Sequence, residues 1–138
     1  MATITYTVTV ATGTNQYGTG DKFYINGSVT PDLNLIEGNT YIFDTSDSTV
    51  SGDLFSFSTS ANNSPAAPYT TGVTQNGTAG TSGANTTIVV ATNAPTLYYY
   101  CSNHAGMGGA AYTLAAGSIS TTANFEASFT IDEVIEDA

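Results

Sequence analysis

The 138-residue chain has no arginine, no tryptophan, one lysine (Lys22), one cysteine (Cys101) and one histidine (His104). Each shortage removes a class of function. With eleven carboxylates against Lys22 the formal net charge is −10, so a nucleic-acid backbone would be repelled, and nucleic-acid binding is excluded. A single cysteine makes no internal disulfide, so stability must come from a packed core and from neighbours. No apolar run is long enough to span a membrane as a helix, and no membrane partner is expected. The opening MATITYTVTV lacks a basic n-region and an unbroken apolar stretch, so the expectation is no secretory signal and a product made in a cytoplasm.

What remains is rich in Thr, Ser, Gly, Asn, Val and Tyr, with nine tyrosines, while strong helix formers are scarce. That composition favours strands and turns. Over residues 3–10, Ile4, Tyr6, Val8 and Val10 alternate with threonines, the period-2 signature of a strand with one buried face. Residues 12–21 read as a turn-rich loop, and KFYINGSV as a strand broken by Asn26-Gly27, a hairpin signal. LNLI and TYIFD read as strand halves hinged at EGN, residues 47–53 as a loop, and LFSFS as a short strand. An irregular region from about Ser60 to Asn85 contains YTTGV as a further strand candidate, and a loop of that length is usually functional. TTIVVA and TLYYYC follow, then AAYTLAA, and finally residues 124–134, where Phe125, Ala127, Phe129 and Ile131 alternate. The economical architecture for a single domain over 1–138 is an all-β, two-sheet sandwich.

The stretch LYYYCSNHAGMGG carries Cys101, His104 and Met107 at steps of three. A copper electron-transfer site uses one thiolate, two imidazoles and a weak axial thioether, and a single loop can supply the first, one imidazole and the last. No second histidine exists. In one reading Cys101, His104 and Met107 hold copper with Asp53 as a makeshift fourth ligand, or Cys, His and Asp hold zinc. In the other, which is the expectation here, Cys101 is a small buried apolar residue, His104 bonds the loop backbone and Met107 fills a gap, with no metal and no cofactor. The glycines at 106, 108 and 109 permit positive φ in a tight loop under either reading. For an enzyme, a Cys101–His104 pair lacks an evident third orienting group, so no catalytic residue is expected. Lys22 reads as a solvated strand-edge residue rather than an isopeptide donor.

The blocks KFYING, EGNTYIFDTSDST, YTTGVTQNGTAGTSGA and APTLYYYCSNHAGMGG, in this order, resemble the cupredoxin-like modules of virion structural proteins of marine tailed phages, including cyanophages. The resemblance covers about residues 21–111, with an N-terminal strand (1–20) and a C-terminal extension (112–138) outside it. It implies a Greek-key cupredoxin-like sandwich located in the virion, most economically a capsid decoration or cement protein. It also implies the major capsid protein or other virion proteins as partners, and a homo-oligomer or many copies on the particle. A tail, fibre or baseplate module is the first alternative, and a copper electron carrier the second. The departure from the pattern is at SGDLFSFS, where the family carries Gly-His-Pro-Phe or Gly-His-Pro-Leu: Asp53 stands in the place of that histidine. Residues 3–10 and 124–134 are the expected contact elements, as terminal strands able to join an exposed sheet edge in their own or another subunit.

Overall fold

A computed structural model describes residues 1–61 and 67–117. The strands are β1 (Thr3–Asn15), β2 (Gly18–Ile25), β3 (Ser28–Val29), β4 (Leu33–Ile36), β5 (Thr40–Asp44), β6 (Phe55–Ser58), β7 (Pro68–Tyr69), β8 (Val73–Asn76), β9 (Asn85–Val89), β10 (Leu97–Cys101) and β11 (Gly109–Leu114). One 3-10 turn, Ser48–Val50, joins β5 to β6. The strands form two sheets, ordered β3-β2-β1-β5-β9-β8 and β4-β11-β10-β6-β7. Each is mixed, because β1 runs parallel to β5 and β4 parallel to β11. This is the all-β, two-sheet sandwich expected.

The threonine alternation of β1 works as read: Ile4, Tyr6, Val8 and Val10 enter the core while Thr3, Thr5 and Thr7 face out. Residues 3–7 pair with β5, and residues 8–15 pair with β2. The N-terminal strand is therefore a central member of its own sheet, the own-subunit placement of the two expected for it. The expected loop at 12–21 is also corrected. β1 and β2 continue as a paired ribbon to Asn15 and Gly18, leaving only Gln16 and Tyr17 to turn. Threonine and glycine looked like loop composition, yet the ladder needs only backbone groups.

Other boundaries follow the sequence signals. Asn26 and Gly27 both have positive φ and turn β2 into β3. Glu37, Gly38 and Asn39 form the corner between β4 and β5, where the Asn39 side chain accepts from the Ala2 N–H and donates to the Tyr41 hydroxyl. The irregular region holds two short strands, β7 and β8, and the strand expected at YTTGV is corrected: Thr70, Thr71 and Gly72, the last at φ +71°, form the turn between them, and the second strand continues from Val73 to Asn76. The alternating segment 124–134 lies outside the described residues.

The core is aromatic where the sheets meet. Phe55 of β6 packs against Phe43 at 4.6 Å, Phe23 at 5.0 Å, Tyr99 at 5.3 Å and Phe57 at 5.6 Å between ring centroids. Phe23 and Phe43 come from the first sheet, and Phe57 and Tyr99 from the second. Aromatic pairs at such distances add to the area they bury. Phe55→Ala removes four ring contacts at once, so it should cost about 3–5 kcal/mol in chemical denaturation. A loss below about 1 kcal/mol would mean that the ring is not the inter-sheet keystone described here.

Candidate functional site at one end of the sandwich

The site forms where β6 begins and β10 ends. Cys101 is opposite Phe55 in the ladder, so the chain just before β6 and just after β10 must lie together. Gly52, at φ +82°, turns the backbone out of the 3-10 segment, and the Asp53 N–H donates to the Val50 carbonyl. Asp53 then points at Cys101 across the end of the sheet.

Three side chains converge. The Cys101 thiol donates to Asp53 Oδ1 at 3.3 Å, and His104 Nδ1 lies 2.8 Å from the same oxygen and 3.6 Å from Cys101 Sγ. A carboxylate only accepts, so at 2.8 Å the imidazole carries its hydrogen on Nδ1 and donates it. Asp53 and Cys101 are buried, whereas the His104 side chain is 61% exposed. Two expectations are corrected here. His104 bonds a carboxylate rather than the loop backbone, and a third group that orients the cysteine and histidine does exist in Asp53.

Asn103 and Asn15, not singled out in the sequence, hold this arrangement together with Lys22. The Asn103 N–H donates to Cys101 Sγ at 3.4 Å, and its side-chain amide donates to the Gly52 carbonyl at 2.7 Å, tying the two loops together. On the far side of the loop, Lys22 Nζ at 2.8 Å and the Asn15 amide at 3.0 Å both donate to the Gly106 carbonyl. Lys22 is buried, not a solvated edge residue as expected. Its stem passes through the interior and its ammonium ends on the loop. No local sequence signal foretells that, because the burial is created by the loop folding over β2.

The glycines divide. Gly106 has positive φ, at +80°. Gly108 and Gly109 do not; a Cβ on Gly108 would overlap the Tyr99 carbonyl, so it is glycine because backbone approaches backbone. Met107 is buried in the hydrophobic core, and its carbonyl accepts from the Phe23 N–H.

Burial pushes the Cys101 thiol up to about 11; the Asp53 carboxylate adds to the rise, while backbone N–H groups of Asn103 and His104 oppose it. A shallow recess of about 260 Å³ adjoins the cluster, lined by Gly52, Asp53, Leu54, Gly77, Thr78, Ala79 and Asn103.

No family profile matches the chain. No curated protein matches it either. Among solved structures, rusticyanin from Thiobacillus ferrooxidans is similar, at 17% identity over 80% of this chain and 77% of that one, with a TM-score of 0.37. That likeness is one of fold alone.

The resemblance noted in the sequence implies copper, and the donor set here can be tested against it. One thiolate and one imidazole are in place, but a carboxylate stands where the second imidazole is required. The residues do not fit a two-imidazole blue-copper centre.

A buried thiol with raised pKa is a poor nucleophile at neutral pH. In metal-free folded protein, Cys101 should react with iodoacetamide at pH 7.5 at least about 10-fold more slowly than in denaturant, with the thiolate fraction setting the rate. The sign of the linked stability follows from the raised value: the contribution is complete below pH 9, the ordinary value, and is lost as pH rises towards 11. Equal alkylation rates in the folded and unfolded states would contradict the burial described.

Proposed function

We propose that the chain is a structural component of a tailed-phage particle, a capsid decoration or cement protein that stabilises the head. The observation that carries this reading is the ordered set of four sequence blocks. They contribute β2, β5, β8 and β10 with their flanking turns, so the resemblance lies in the frame of the sandwich as well as in one loop.

Three further features support it. The described core is closed, with no buried side-chain nitrogen or oxygen left without a partner among the described residues. The strong negative charge keeps a protein made in many copies from self-associating before assembly. The Cys-His-Asp cluster lacks the second imidazole that an electron carrier of the blue-copper type needs. The physical mechanism is burial of surface against the particle. A rigid module that binds across joints between shell subunits, and does not bind separated subunits, stabilises the assembled state by mass action. The partners are then the major capsid protein or neighbouring virion proteins, and no catalytic step is involved.

Quantitative mass spectrometry of purified particles tests the reading. Hundreds of copies per particle are expected for a shell protein; a handful would move it to the tail, and absence from particles would end the proposal. A chain ending at residue 117 should keep its strand signature yet bind particles at least about 10-fold more weakly, a difference of about 1.4 kcal/mol. Unchanged binding would transfer the contact to the described sandwich.

A further inference from the structure

We infer that Asp53, Cys101 and His104 form a zinc-type binding site, the carboxylate in the donor set favouring zinc over blue copper. The inference is independent of the virion reading, because a structural ion is compatible with a decoration protein, a tail module or neither.

The geometry carries it first. Zinc bonds of about 2.0–2.3 Å to oxygen, nitrogen and sulfur give tetrahedron edges of about 3.3–3.8 Å between ligand atoms. Two of the three edges here already have that length: Sγ to Oδ1 is 3.3 Å and Sγ to Nδ1 is 3.6 Å. The third, Nδ1 to Oδ1, is 2.8 Å, shortened because a hydrogen sits between the two atoms. Replacing that hydrogen by an ion requires the edge to open by well under 1 Å, and His104 is the exposed member that can move.

Donor chemistry carries it second. Thiolate suits copper(I), zinc and iron–sulfur clusters; imidazole suits zinc, copper, iron and nickel; carboxylate suits harder divalent ions and is also a regular zinc ligand. Zinc accepts all three without strain and has no geometric preference of its own to satisfy.

Charge and protons balance. Starting from neutral imidazole, binding replaces the Sγ–H proton, which leaves to solvent, and moves the imidazole hydrogen from Nδ1 to Nε2. A divalent ion with one thiolate and one carboxylate makes a neutral site. Asn103 supplies the outer support, with its N–H on the sulfur and its amide on Gly52. Three protein ligands leave a fourth position, and the exposure of His104 assigns that position to water or to a group from outside.

The test uses the full chain stripped of metal, titrated with Zn(II) against a chelating indicator, and with Co(II) as a spectroscopic stand-in. Expected are one zinc per chain with micromolar or tighter affinity, and a tetrahedral cobalt spectrum with thiolate charge transfer. His104→Ala should weaken zinc by about 100-fold or more, beyond the 10–100-fold typical of outer-shell losses. This variant keeps every surface carboxylate; losing the bond to Asp53 should lower the metal-free melting temperature, and a single cooperative melting transition confirms that it folds. Cys101→Ser should abolish the charge-transfer band. Equal zinc affinity in wild type and His104→Ala would assign the binding to surface carboxylates and overturn the inference. So would failure of the wild type to bind, or an intense blue colour with Cu(II) that disappears in Cys101→Ser.

Discussion

One oxygen atom organises the end of this molecule. Asp53 Oδ1 accepts from a thiol and from an imidazole that belong to a strand and a loop about fifty residues further along the chain. A buried carboxylate must be compensated, and hydrogen bonds to a charged acceptor are worth about 1.5–3 kcal/mol each in favourable cases. The turn before β6 and the loop after β10 are therefore not free to separate. The loop is also held from its other side, where Lys22 and Asn15 share the Gly106 carbonyl. A segment of seven residues is thus pinned at both faces before any ligand is considered. The single cation of the chain is committed to one of those pins.

That commitment explains why the sequence was legible in some places and opaque in others. Strand alternation is a local property, so Ile4, Tyr6, Val8 and Val10 announce the buried face of β1 directly, and Asn26-Gly27 announces its hairpin. The ribbon over residues 11–20 carries no such signal, because both of its faces are polar or small; backbone pairing sustains it, helped by the Thr14–Thr19 hydroxyl pair and the Tyr24 hydroxyl on the Thr12 carbonyl. Lys22 is the sharper case. Between Asp21 and Phe23 it looks like an ordinary edge charge, and only the arrival of the 102–108 loop over β2 buries it. Burial of this kind is tertiary and has no pattern in the chain.

The site itself was half legible. Cys101, His104 and Met107 stand out by spacing, and Asp53 stands out through the family pattern it breaks. Their mutual geometry does not follow from either. A lone imidazole in a glycine-rich loop has many backbone acceptors within reach, and bonding to one of them was the simpler expectation. The ionised carboxylate wins because it is a stronger acceptor than a peptide carbonyl, and because burial on the Cys101 side leaves it in need of donors. Gly108 shows the same limit: glycine in a loop suggests positive φ, whereas here the deciding fact is the proximity of the Tyr99 backbone.

The buried carboxylate also bears on what such a cluster does for the fold. A buried polar group is seldom the most stabilising solution, since a well-packed apolar replacement often does as well or better. What a polar cluster provides is directionality: Sγ, Nδ1 and Oδ1 meet in one arrangement, and a slipped loop would strand a buried carboxylate. If the chain presents a fixed surface to neighbours, as proposed, rigidity in the free state lowers the ordering cost of binding. A metal-binding geometry and a surface-presenting role then cease to be rivals. The same convergence of donors that would receive an ion is what holds the loop in place without one.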